Sequence, residues 1–250
     1  MKQMISFDIQ ADFGFLKKPD TNEPMYLTFN MIHKPCVLGL LGAILGERGF
    51  EKNEELPAYY VKLQNTLIGI KPLNAEEGNF AKTVIQYNNG VGYANKDGGN
   101  LIVVEQTLVK PAYRIYVLTD HEELLYRIQH HEAEFLPYLG KNDFSLWWDN
   151  VQLYEYEPFI PRDSYQVSSI FIKKSVVKEG IVDTSDMFFL DILASEGESF
   201  MYFERLPTGY DEVLYQYTYE PFVLTTFKLR KTYKIDNLYQ LNGDEIIQVF

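Results

Sequence analysis

The chain has 250 residues, 46% of them apolar and 15% aromatic, which is enough for a sizeable hydrophobic core and excludes disorder as its main state. Its 23 Lys and Arg against 35 Asp and Glu leave a formal charge of −12, so it does not coat a polyanion by bulk charge, and any nucleic acid must meet a local basic patch. A single cysteine, Cys36, excludes an internal disulfide framework and a multi-thiolate zinc site and suits a reducing cytoplasm.

Met4 to Ile9 alternates as a strand with one buried face, placed at or near the centre of a sheet. The following stretch, Phe15 to Asn22, is a loop marked by Pro19-Asp20 and carrying Lys17 and Lys18. Residues 35 to 46 form a helix opened by Pro35. Gly39, Gly42 and Gly46 share one of its faces, and each interior glycine costs about 1 kcal/mol against alanine, so close approach to a sheet or ligand is expected to outweigh the lost propensity.

Tyr59 to Ile70 and Thr107 to Leu118 are rich in β-branched and aromatic residues and are expected as strands. Between them, Phe80 to Tyr87 and Leu101 to Glu105 flank a span with Asn89-Gly90 and Asp97-Gly98 turn signals, predicting a long protruding hairpin. His121 to Phe135 has helical apolar spacing, and Asp149 to Tyr156 adds a strand. The order is β-α-β-β-α-β, the ferredoxin-like split motif, whose sheet is expected to keep one open face.

Beyond Pro158 the pattern changes to short β-like runs: Gln166 to Lys173, Met187 to Ala194, Ser199 to Phe203, Tyr215 to Tyr219 and Phe222 to Lys228. The expected fold class is therefore α+β, with a ferredoxin-like domain over residues 1–157, a hairpin at about 80–105 and a smaller β-rich lobe over 158–250. Residues 179 to 204 hold seven acids and no Lys or Arg, which argues against RNA contact there.

No apolar run approaches the roughly 20 residues that cross a bilayer. Asp8 and Asp12 interrupt the start where a signal peptide needs a greasy core, so a cytoplasmic location is expected. The four histidines, His33, His121, His130 and His131, lack metal-ligand spacing, and no phosphate-binding glycine loop or nucleophile elbow occurs, so no cofactor, metal or small-molecule substrate is expected. His33 and Lys34, with the amides that open the helix, could hold a phosphate. Together with Tyr26 they also supply residue types sufficient for metal-independent RNA cleavage. A protein-protein adaptor without nucleic-acid contact is a third reading.

Three segments resemble the CRISPR-associated Cas five family of the RAMP superfamily, nearest its type I-B branch. Phe7-Asp8-Ile9 through Phe13-Gly14-Phe15-Leu16-Lys17-Lys18-Pro19-Asp20-Thr21-Asn22 is similar to the family's N-terminal strand and its "F-x-K-P-x-T-N" loop, and His33 to Gly46 to the following helix, "K-x-x-x-x-G-L-L-G-A-I-L-G". Pro137-Tyr138-Leu139-Gly140-Lys141-Asn142-Asp143-Phe144 is similar to its "P-x-L-G-K-S-E-F" turn. The resemblance covers about the first 150 residues. It implies an RRM-like domain in a type I Cascade complex that caps the 5′ handle of the crRNA in antiviral defence. The hairpin would act as a thumb, with contacts to the backbone and large subunits, and an acidic surface would serve those partners.

One branch of that family cuts guide RNA with a tyrosine and an adjacent lysine and histidine. Here the only adjacent pair, His33-Lys34, is reversed, which favours a non-catalytic subunit over a metal-independent endoribonuclease. The candidate RNA-contacting residues are Lys17, Lys18, Asn22, Tyr26, His33 and Lys34, with Lys82, Lys110, Arg114 and Lys141 beyond them.

Overall fold

The computed structural model describes residues 1–19, 25–52, 54–89, 101–173, 176–178, 181–183, 189–195 and 197–250. The first part of the chain runs β1 (Gln3–Ala11), β2 (Phe13–Gly14), α1 (Lys34–Leu45), α2 (Ala58–Leu63), β3 (Leu67–Leu73), β4 (Lys82–Asn89), β5 (Leu101–Val109), β6 (Ala112–Thr119), α3 (Glu122–His130) and β7 (Leu146–Tyr154). The rest is β8 (Tyr156–Pro158), β9 (Phe171–Ile172), β10 (Val176–Lys178), β11 (Ile181–Asp183), β12 (Met201–Tyr210), β13 (Tyr217–Thr225), β14 (Leu238–Leu241) and β15 (Glu245–Gln248).

Ile5, Phe7 and Ile9 point from one face of β1 into the core shared with Val37, Leu38 and Leu41 of α1 and Leu124 and Ile128 of α3. That shared core makes β1 central: it pairs antiparallel with β6 and β7, and the sheet order is β3-β6-β1-β7. Both flanking helices and this order are those of a ferredoxin-like split motif, so the α+β expectation holds. The hairpin of β4 and β5 is inserted between β3 and β6, paired from Lys82↔Leu108 to Asn88↔Ile102. The expected hairpin tip, 90–100, lies outside the described residues.

The sheet face expected to be open is closed. Met4, Tyr116 and Leu118 pack there against Leu241, Ile247 and Val249 of the β14–β15 hairpin. That hairpin was not expected from the runs of apolar residues, although Asn242 and Gly243 both take positive φ, the turn that this dipeptide favours.

Five further boundaries differ from expectation. Residues 59–63 are helical, because Pro57 starts a turn and Tyr60 and Leu63, three apart, bury one face. Pro111 and the positive φ of Lys110 split the 107–118 run into β5 and β6. α3 stops at His130: His131 turns left-handed, and the Glu134 and Phe135 amides cap the Ile44 and Ala43 carbonyls that end α1. The two last β-like runs are a single strand, β13, pairing with β12 and β9. Of the Met187 to Ala194 run, 187–188 lie outside the described residues, and Ile192 to Ala194 form a turn.

Ile170, Leu206, Phe222 and Leu224 from the second half of the chain join the same core as α1. Among the described residues no helix is long and apolar enough to cross a membrane, and no cluster of His, Cys, Asp and Glu could hold a metal ion.

Candidate functional site

Adjacent residues of an extended segment point to opposite sides, and this divides Lys17 from Lys18. The Phe29 amide donates to the Leu16 carbonyl (2.7 Å) and the Lys18 amide to the Leu27 carbonyl (2.8 Å), forming a short ribbon at the foot of the hairpin. Tyr26 extends that ribbon onto β5, its amide donating to Val104 (2.9 Å) and its carbonyl accepting from Gln106 (2.9 Å).

On one side the Lys17 ammonium lies 3.9 Å from the centroid of the Tyr26 ring. Next to it Lys141 donates to Glu105 (2.7 Å) and to the Tyr87 hydroxyl (3.2 Å), and Tyr87 donates to Glu105 (2.9 Å). Burial pulls the Lys141 ammonium down, yet its bonds to Glu105 and Tyr87 outweigh that and hold it above the ordinary range. Lys17 and Lys141 border a cleft of about 940 Å³ whose walls include Phe15, Tyr59, Tyr138 and Tyr217.

On the other side Lys18 pairs with Glu204 (3.4 Å), and Lys82 donates to Asn30 Oδ1 (2.9 Å). Desolvation lowers the Lys82 pKa. These residues line a second cleft, of about 630 Å³, shared with Gln106, Phe203 and Arg205. The structure therefore brings Lys17, Tyr26 and Lys141 together on one side of the hairpin base and Lys18 and Lys82 on the other.

The mouth of α1 differs from expectation. His33 is its N-cap, with Nδ1 accepting from the Cys36 amide (3.4 Å). Its ring is packed against Phe29 and Tyr217, and burial lowers its pKa to about 3, so it is neutral at physiological pH. Lys34 is buried too, its ammonium donating to the Phe250 main-chain oxygen (3.1 Å) and its pKa lowered to about 8 by desolvation. The phosphate cradle expected from His33, Lys34 and open helix amides is thus filled by the chain itself. The His33, Lys34 and Tyr26 trio likewise leaves its histidine and lysine shut away.

Arg114, another expected phosphate contact, instead spends its guanidinium on Asp8 in two bonds of 2.7 and 2.9 Å, and Asn150 completes the carboxylate (3.0 Å). Lys110 is exposed at the β5–β6 turn, with its amide on the Asp12 carbonyl (2.8 Å). Asn22 lies outside the described residues. Sequence reasoning missed Tyr87, Glu105 and Glu204 as partners of the lysines. No spacing signalled them, because each pairing spans 18 residues or more.

No family model matches the chain, and no curated protein matches it. Among solved structures, a CRISPR protein from Archaeoglobus fulgidus is similar over 99% of this chain and 98% of its own, at 14% identity and a TM-score of 0.51. A chain of a CRISPR RNA-guided surveillance complex aligns over 90% and 91% at 10% identity and a TM-score of 0.47. A chain of a type III-B Cmr-beta complex bound to cognate target RNA aligns over 92% and 87% at 11% identity and a TM-score of 0.43. These structural neighbours are CRISPR-associated proteins, and the first of them, matched along nearly its whole length, shows the fold.

Proposed function

We propose that this chain is a non-catalytic RNA-binding subunit of a CRISPR surveillance complex of the Cascade type, acting in the cytoplasm. It grips the 5′ handle of the crRNA at the base of its hairpin. The observation that carries the reading is the placement of lysines on both sides of that base, Lys17 and Lys141 beside tyrosine rings and Lys18 and Lys82 across the ribbon. Ammonium groups next to flat rings suit a polymer of phosphates and bases. The ferredoxin-like sheet with an inserted hairpin supports the same reading. The formal charge of −12 fits protein partners, the backbone and large subunits, better than a second length of RNA.

The endoribonuclease alternative has less support. His33 is neutral and buried, and Lys34 is occupied by Phe250. Repeat RNA incubated with the purified chain without metal is expected to stay whole, and cleavage would reverse this preference.

The deciding experiment is a salt titration of binding to a repeat-derived RNA carrying the 5′ handle. The Lys17→Ala, Lys18→Ala double variant is expected to bind more weakly, with the slope of log affinity on log salt reduced by about 1.4, since each phosphate on a single strand contributes about 0.7. Unchanged affinity and slope would overturn the reading.

A further inference from the structure

Glu204, the one carboxylate among the described residues that line the second cleft, is held inside the protein. Its Oε1 accepts the Asn30 amide (3.0 Å), and its Oε2 accepts the Met31 amide (2.9 Å) and the Tyr202 hydroxyl (2.8 Å). Lys18 offsets its charge at 3.4 Å, and the side chain is only 8% exposed. The acid-rich stretch expected to repel RNA therefore ends in a buried anchor.

What the cleft turns outward is aromatic and cationic. Phe203 is 46% exposed, and Arg205, two residues along β12 and so on the same face, is exposed as well. The Arg205 guanidinium stands 5.0 Å from the Tyr219 ring centroid, and the Lys173 ammonium 5.5 Å from that of Phe203. Lys82 and Gln106 of the hairpin base also line the cleft, and about 630 Å³ is ample for a nucleotide.

We propose that this cleft takes one unpaired nucleotide of a single-stranded RNA, the base lying on Phe203 and its phosphate meeting Arg205. A solvent-facing ring offers a stacking platform that any base can use. A guanidinium already set against a tyrosine is oriented for bidentate contact with phosphate oxygens. An acidic peptide would use the cations but has nothing planar for Phe203. The inference rests on the RNA reading above in its choice of ligand, but it adds a site formed by β12 and β13, apart from Lys17 and Lys141.

The test measures binding of a fluorescein-labelled single-stranded oligouridylate by anisotropy across salt concentrations. Circular dichroism confirms the fold of each variant, since both side chains are exposed. Phe203→Ala is expected to weaken binding about tenfold with an unchanged salt slope, and Phe203→Trp to restore it. Arg205→Ala is expected to weaken binding and lower the slope by about 0.7. If Phe203→Ala binds like the parent while Lys17→Ala still weakens, the cleft inference falls and the RNA reading stands. Should the parent chain bind neither oligouridylate nor repeat RNA, both fall. Displacement of the oligouridylate by polyglutamate at equal affinity would make the cleft an acidic-peptide site and overturn the nucleotide assignment.

Discussion

Lys141 Nζ lies 2.7 Å from Glu105 Oε2, fastening the turn before β7 to the foot of the hairpin. Glu105 is 6% and Lys141 22% exposed, so neither charge has bulk water as an easy substitute for the other. Removing one partner of such a pair costs about 3 kcal/mol, because the remaining charge is left buried. Lys141→Met is therefore expected to lower urea-unfolding stability by about that amount. Adding Glu105→Leu should recover part of the loss, as apolar replacement of both partners often does. Additive losses in the double variant would show that the two side chains do not depend on each other.

His33 supplies a pH dependence whose sign follows from its burial. Its folded pKa of about 3 is below the unfolded 6.5, so between those values the unfolded chain holds the extra proton. Stability is full above pH 6.5 and falls as the solution is acidified toward pH 3. At pH 5 the cost is about 2 kcal/mol relative to pH 7.5. His33→Asn keeps a side-chain cap without that titration, and its denaturation midpoints should vary less between pH 7.5 and 5. Identical pH profiles for the parent and the variant would contradict the burial of this imidazole.

The contrast between His33 and the hairpin explains how far the sequence could be read. Asn-Gly and Asp-Gly dipeptides, alternating strands and an amphipathic α3 are local signals, and the split motif followed from them. Closure of the α1 mouth depends on Tyr217 and Phe250, about two hundred residues away, and no local pattern announces it. The lysine pairings hid for the same reason: Lys17 and Lys18 look alike in sequence, and only the strand geometry sends one to Tyr26 and the other to Glu204. In α2, the strand preference of Tyr59 and Tyr60 yields to the burial of Tyr60 and Leu63.

Glu204 joins β12 to the segment that leads into α1, and its amide contacts rank it above its ion pair. Glu204→Gln replaces one of the two acceptor oxygens by an amide NH2 that faces a main-chain N–H, and is expected to cost about 2 kcal/mol in urea denaturation. Lys18→Ala removes the partly exposed partner of a charge pair worth about 0.5 kcal/mol. An equal loss in the two variants would mean that the pair, and not the amide acceptors, holds the junction.

Gly39 and Gly42 test whether the glycine face of α1 serves close approach. Both are interior helix positions, so alanine gains about 1 kcal/mol of propensity at each. At Gly39 a Cβ would rest 3.8 Å from the Tyr59 ring, an ordinary contact, and the gain should survive. At Gly42 it would fall 2.4 Å from the Tyr59 Cβ, an atom that cannot swing aside, so α2 must move. Overpacking of that kind costs about 1–3 kcal/mol, which offsets the propensity and more. Thermal unfolding should therefore rank Gly39→Ala above the parent and Gly42→Ala below it, with steps of about 3 °C per kcal/mol for a chain of this length. The approach expected for a sheet or a ligand is thus made by a helix, α2, and a Gly42→Ala variant as stable as Gly39→Ala would refute that packing.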